Sequence, residues 1–193
     1  EEILYLLGIL LHPDNAAQPF PLILTGPRQS AEYFERIDAF LRLALGDAVA
    51  SRYQILVDSP QQVARAVRKG IEQVREYRVA SQDAFFFNWG LTIDHALQQP
   101  FAPTHENMAA LDLRLGQPPH QLAAHLRRAF SGIVAGNVKE EGLRAIEQRG
   151  PFEIRGEPSI MRALDELLGS FVAQQRMKLP GSEYRPCYQV VAA

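Results

Sequence analysis

One cysteine in 193 residues excludes an internal disulfide framework, because Cys187 has no second thiol to join. Metal chemistry is equally short of material. His12, His95, His120 and His125 show no mutual spacing suited to a metal, and no Cys/His cluster has the pattern of a zinc site. Charge of one sign is missing as well: 20 Lys and Arg stand against 22 Asp and Glu, so no broad field favours nucleic acid or an anionic membrane as a partner. Any binding site must therefore be local. The nine-residue apolar run from Ile3 to Leu11 falls far short of the roughly 20 residues of a membrane span. No basic segment precedes it, as a secretory signal would require. These absences describe a soluble chain whose expected compartment is the cytoplasm. There is no internal repeat and no low-complexity tract.

What is present is a 47% hydrophobic composition, ample for one domain or two small ones. Residues 1 to 11 predict a helix that is apolar nearly all round, and hence buried, stopped by Pro13-Asp14-Asn15. Pro21 to Gly26 is a short continuous apolar run closed by Gly26-Pro27, the pattern of a parallel strand buried on both faces. Ser30 is placed to cap a helix along Phe34, Ile37, Phe40, Leu41 and Leu45, with Gly46 ending it. Tyr53 to Asp58 predicts a second strand. Ser59 as cap and Pro60 at the first helical position then open a helix along Val63, Ala64, Val67, Ile71 and Val74. Helix, strand, helix, strand, helix is the closing half of a doubly wound, Rossmann-like α/β sheet.

The pattern changes near Tyr77. Residues 78 to 120 carry short pieces punctuated by aromatic residues and proline, without clean alternation of strand and helix. Two domains are therefore expected, 1–77 as the half-sheet and 78–193 as a smaller, mostly helical α+β unit. In the latter, a helix from Pro119 keeps Leu122, Leu126, Phe130, Ile133 and Val134 on one face, bends at Gly136-Asn137 and resumes from Val138 to Gln148. Another helix runs from Ser159 to about Met177, and Cys187 to Val191 reads as a closing strand.

Carboxylates in a helix's first turn, such as Glu1-Glu2, are stabilised by the macrodipole by about 0.3 to 1 kcal/mol, which suffices to explain them. Glu1-Glu2-Ile3-Leu4-Tyr5-Leu6-Leu7-Gly8-Ile9, Pro21-Leu22-Ile23-Leu24-Thr25-Gly26 and Tyr33-Phe34 together resemble the stretch after the glycine loop in the LOG family of nucleotide phosphoribohydrolases. The signature of that family, P-G-G-x-G-T-x-x-E, would end on Glu2, with the glycine loop upstream of residue 1. Residues 79 to 193 resemble the C-terminal domain of the larger bacterial members that act on pyrimidine and purine nucleoside 5'-monophosphates. The strings that carry this likeness are Asn88-Trp89, His105-Glu106-Asn107-Met108, Arg127 to Glu140 and Met177 to Ser182. The likeness covers essentially the whole chain.

The resemblance implies hydrolysis of the N-glycosidic bond of AMP and other monophosphates to free base and ribose 5-phosphate, by a nucleosidase of which this chain is a C-terminal part. It implies Glu2 as the catalytic carboxylate that holds the ribose and stabilises its developing positive charge. Glu1, Gly26, Asn88, His105, Glu106, Asn107 and Asn137 are the implied substrate contacts. For His105-Glu106-Asn107 the alternative is a solvated first turn after Thr104 as N-cap, and for Trp89 it is the core. Gly136-Asn137 would sit near substrate or a subunit contact, since glycine within a helical pattern costs about 1 kcal/mol and admits close approach. Arg127, Arg128 and Lys139 to Glu141 are expected to face water. Arg176, Lys178 and Arg185 flank Pro180-Gly181-Ser182, a loop able to bind an anion or merely to turn.

No metal or redox cofactor is implied. Although family members have often been labelled lysine decarboxylases, nothing in the sequence requires pyridoxal phosphate. A guanosine tetra- or pentaphosphate regulator and a homo-oligomer are implied for the full-length enzyme. The competing reading is a non-catalytic regulatory or oligomerisation module that binds nucleotides. With the phosphate cradle outside the chain, residues 1–193 alone are predicted to release no ribose 5-phosphate from AMP, and robust turnover would contradict this.

Overall fold

A computed structural model describes residues 1–82, 90–177, 179 and 184–191. Helix α1 (Glu2–Leu10) is buried along Leu4, Leu7, Gly8, Ile9 and Leu10, as its all-round apolar sequence requires. A 3-10 turn at Pro13–Asn15 stops it, with His12 Nδ1 accepting from the Asp14 backbone N–H at 3.2 Å. The fully buried Asn15 fixes this corner to the later chain: its Nδ2 donates to the carbonyls of Ile9 (2.7 Å) and Thr92 (2.8 Å), and its Oδ1 accepts from Thr92 N–H (2.9 Å).

Strand β1 (Ile23–Gly26) and strand β2 (Gln54–Val57) pair in parallel, from Ile23 opposite Gln54 to Gly26 opposite Val57. Helix α2 (Ala31–Leu45) connects them, burying Phe34, Ile37, Phe40, Leu41, Ala44 and Leu45. It ends at Gly46, whose φ of 84° is a conformation glycine adopts without the Cβ penalty. Ser30 takes the expected N-cap position of α2, but it sits in a 3-10 turn (Arg28–Ser30) with helical backbone and makes no side-chain capping bond, so its hydroxyl is free for another partner. Ser59 is likewise the N-cap residue of helix α3 (Pro60–Ala80), ahead of Pro60 as expected, without a side-chain capping bond. And β1 is half-buried rather than buried on both faces, because α3 packs loosely; only Gly70 of its 21 residues is buried. At Gly70 an added Cβ would lie 2.3 Å from Pro21 Cβ, so the helix approaches the chain before β1 at this one point.

The remaining chain adds the short helices α4 (His95–Gln98) and α5 (His105–Ala109), then strand β3 (Asp112–Leu113). Helices α6 (Pro119–Val138) and α7 (Glu140–Arg149) lead to strand β4 (Phe152–Gly156), and helix α8 (Pro158–Ala173) to strand β5 (Tyr188–Val191). The three strands form a second parallel sheet in the order β3-β4-β5. Helical crossovers join both of its pairs, as parallel strands demand. Expected closing strand β5 is present, while β3 and β4 were not anticipated. Phe152, Ile154 and Gly156 are buried while Glu153 and Arg155 are exposed, an alternation that Phe-Glu-Ile-Arg-Gly displays in the sequence.

Other boundaries move too. Helix α6 runs straight through Gly136-Asn137 and breaks at Lys139, whose backbone turns extended. Helix α8 stops at Ala173, and Gln175 follows with φ 57°. The mixed α/β architecture with parallel sheets is the one expected. One hydrophobic cluster runs through both halves of the chain, from Leu4, Leu7, Phe34 and Leu41 to Leu126, Ile133, Phe152 and Leu164.

The glycines of α6 and α7 explain how close this packing is. A Cβ at Gly132 would lie 2.2 Å from Met108 Sδ, and one at Gly136 2.7 Å from Cys187 Sγ. A Cβ at Gly142 would lie 2.2 Å from the Ala135 carbonyl oxygen, which is backbone and cannot yield. Gly142→Ala should therefore destabilise by about 1 to 3 kcal/mol. Gly169→Ala, in the interior of α8 with nothing within 4 Å, should instead stabilise by about 0.5 to 1 kcal/mol. Urea unfolding of both variants checks the contrast.

Candidate functional site

In an open α/β sheet, ligands gather beyond the carboxyl ends of the strands. At that end of the first sheet, Asp58 N–H donates to Gly26 O at 2.9 Å, with Asp58 itself at φ 53°. Gly26 is tightly packed: an added Cβ would stand 3.0 Å from Ser30 Oγ and 3.3 Å from the Phe34 ring. The buried Ser30 hydroxyl accepts from Arg176 Nη2 at 3.0 Å. Arg176 reaches this corner from beyond α8, its guanidinium lying 4.0 Å over the Tyr33 ring. Tyr33 in turn meets Phe171 at 5.0 Å between centroids.

The Tyr33 and Phe171 rings wall a cavity of 230 Å³ whose polar rim is Glu1 and Glu2. Leu24, Phe34, Phe40 and Phe130 are among the residues of its apolar lining. A second, shallower basin of 370 Å³ is bordered by the same two carboxylates with Tyr5, Leu6 and Arg127. Arg127 lies 3.8 Å from Glu1 and 5.1 Å over the Tyr5 ring. Glu2 leaves 95% of its side chain in solvent. A hydrogen bond from its own backbone N–H holds its carboxyl below the ordinary range; burial opposes this shift and the Arg127 charge adds to it. Carboxylates beside an aromatic cleft, at the positive end of a helix, can hold a sugar by its hydroxyls while a flat ring rests on the apolar wall.

The other expected contacts that the structure describes lie away from these two cavities. Asn88 and Trp89 fall outside the described residues, as do Lys178 and Pro180-Gly181-Ser182. Thr104 caps α5 as anticipated, accepting from Asn107 N–H at 3.2 Å. The three residues after it are each tied to neighbouring chain: His105 Nε2 bonds Gly150 O (2.9 Å), Glu106 pairs with Arg149 (2.6 Å), and Asn107 Nδ2 donates to Ala102 O (2.8 Å). His105 and Glu106 stitch α5 to the end of α7 and the turn after it, Asn107 ties α5 to the loop before it, and none of the three lines the cavities at Glu1 and Glu2. Asn137 faces inward, donating to Ile133 O (2.9 Å) and Cys187 Sγ (3.2 Å). The space that Gly132 and Gly136 leave is filled by Met108, Cys187 and Phe152.

Arg127 and Arg128 correct the expectation that they merely face water. Arg128 Nη2 donates to Ala96 O at 2.7 Å and its guanidinium lies 5.7 Å over Phe101, while Arg127 belongs to the Glu1 basin. Sequence reasoning missed Tyr33 and the Arg176–Ser30 bond, because 146 residues separate the partners of that bond and no local pattern marks it. Cys187 is buried and its thiol is pushed up to about 12 by desolvation, so it is a packing residue.

Residues 71–191 match the family model described as "Pyrimidine/purine nucleotide monophosphate nucleosidase, C-terminal". Over 190 residues, 98% of this chain, the sequence is 55% identical to the pyrimidine/purine nucleotide 5'-monophosphate nucleosidases of Escherichia coli strains K12 and O157:H7. The chain spans 42% of the length of those relatives.

The Arg149 guanidinium holds the Glu106 carboxyl down at about 2, below its ordinary 4.5. A depressed folded value means that the pair adds stability above pH 4.5 and loses it as pH falls towards about 2. Arg149→Ala should flatten the dependence of unfolding free energy on pH across that window, as equilibrium denaturation at successive pH values would reveal.

Proposed function

This chain belongs to the pyrimidine/purine nucleotide monophosphate nucleosidase C-terminal family, and on that premise we propose that it is part of an enzyme hydrolysing the N-glycosidic bond of AMP and other nucleoside 5'-monophosphates. Water adds its oxygen to C1' of the ribose, the bond to the base nitrogen breaks, and the base departs with a proton, leaving ribose 5-phosphate. The observation that carries this reading is the position of Glu2, at the amino end of α1 and on the rim of the aromatic cavity. Charge building on the ribose ring as the base leaves is stabilised by its carboxylate. A 5'-phosphate is favoured near the same helix end, whose unpaired N–H groups and dipole attract anions. Tyr33, Phe34 and Phe171 offer the base an apolar wall.

Within this proposal Glu1 and Gly26 border the substrate, while His105, Glu106, Asn107 and Asn137 support it through the packing of α5 and α6. The wider assignment is to the LOG family, with residues 1–77 as the closing half of its nucleotide-binding domain and 78–193 as the nucleosidase-associated domain. The enzyme is placed in the cytoplasm as a homo-oligomer under the control of guanosine tetra- or pentaphosphate. Balanced charge supports the cytoplasmic reading, and no helix among the described residues is long and apolar enough to cross a membrane.

The decisive experiment is release of ribose 5-phosphate from a panel of nucleoside monophosphates by the full-length protein. Glu2→Gln should lower kcat on the order of 100-fold, the scale of losing one stabilising group at a developing charge, with the thermal midpoint unchanged because the side chain is exposed. Unchanged turnover would remove Glu2 from the site, and no release by the unaltered protein would reject the activity.

A further inference from the structure

A cavity of 410 Å³ opens at the far end of α1 from the two glutamates. Leu10, the last residue of the helix, lines it, whereas Glu1 and Glu2 line the other two. At 1.5 Å per residue the nine residues of α1 separate the two regions by roughly 13 Å. It also lies at the opposite end of the first sheet, against Leu22 and Gln54 where β1 and β2 begin.

The side chains around this cavity form a consistent set. Arg65 and Lys69, one helical turn apart on α3, face Arg52 from the 3-10 turn before β2. Gln18, Gln54, Gln73 and Ser51 add neutral hydrogen-bonding groups, and among the described residues no Asp or Glu lines the space. Arg52 is held in place by donating to Ala16 O at 3.1 Å. Arg65 and Lys69 make no hydrogen bond or ion pair among the described residues, so their charge is uncommitted. The helix that carries them comes closest to the chain before β1 at Gly70, against Pro21. Leu10, Pro21 and Leu22 give the cavity an apolar floor.

Three cations lining one concavity, with no carboxylate beside them among the described residues, create a local positive potential in a protein whose net charge is only −2. Guanidinium groups bind phosphate oxygens by paired N–H donors and an ammonium adds a point charge, a combination suited to a phosphoryl group. The volume falls within the range of small-molecule sites, roughly 300 to 1,000 Å³. We propose that this cavity is a second ligand site, separate from the Glu1–Glu2 cleft, which takes a compact phosphoanion on Arg52, Arg65 and Lys69. It does not depend on the nucleosidase assignment, because no residue of the cleft contributes to it.

Calorimetric titration of the full chain with inorganic pyrophosphate and, separately, with adenosine 5'-diphosphate tests the site at physiological salt. Saturable 1:1 binding is expected, weakened at least tenfold in the Arg65→Ala/Lys69→Ala double variant and unaltered in Glu2→Gln and in the distant control Arg162→Ala. Both α3 side chains are exposed, and an unchanged thermal midpoint of the double variant confirms that its fold is retained. At least threefold tighter binding of the diphosphate nucleoside than of pyrophosphate supports a nucleoside on the apolar floor, and equal affinity supports recognition of the phosphoanion alone. Equal binding by the double variant and the unaltered chain, or no binding by either, overturns the proposal. Loss of binding in Glu2→Gln would also overturn it, by assigning the anion to the cleft.

Discussion

Where α6 crosses Met108, the Cys187 thiol and the start of α7, the intervening surface is bare backbone. Gly132, Gly136 and Gly142 hold these contacts at separations that a Cβ would violate. Much else depends on this closeness. Helix α6 carries Leu122, Leu126 and Phe130 into the cluster that also contains Leu4 and Leu7 of α1 and Phe40 of α2. On its other side it supports the second parallel sheet through Phe152 and Cys187. The two halves of the chain are joined because one helix can approach both, and Asn15 reinforces the joint with two hydrogen bonds to Thr92.

Once α1 is locked against α6, its two ends acquire different chemistry. The amino end presents Glu1 and Glu2 to the aromatic cavity, with Arg127 of α6 beside them. The carboxyl end closes one side of a cation-lined cavity that has no acidic residue among those described. A helix dipole favours anions only at its amino end, so the anion affinity proposed for the second cavity comes from side chains alone. Arg176 adds a third element. Stacked on Tyr33 and bonded to Ser30, it couples the chain after α8 to the carboxyl end of β1.

Much of this was legible locally. The apolar runs of α1 and β1, the helical spacing of α2 and the stop at Gly46 all predict their elements, because periodicity and backbone preference act over a few residues. Thr104 as the cap of α5 belongs to the same class. Strand β4 was readable from Phe152, Ile154 and Gly156 alternating with charged residues, and was missed among helical patterns on either side. The bend assigned to Gly136-Asn137 failed for a different reason. Glycine there accommodates Phe152 at the start of β4 and Cys187 just before β5, a demand that no local signal contains.

The sequence by itself determined the α/β class, the paired carboxylates at the start of a buried helix and the likeness to the nucleosidase family, since all three reside in contiguous residues. Tertiary structure alone decided which charged side chains matter. Arg127 meets Glu1, Arg176 meets Ser30 across 146 residues, and Arg52 converges with Arg65 and Lys69, whereas His105, Glu106 and Asn107 are committed to Gly150, Arg149 and Ala102. The physical reason is that charge and hydrogen bonding act over a few ångströms of space, while sequence records only distance along the chain.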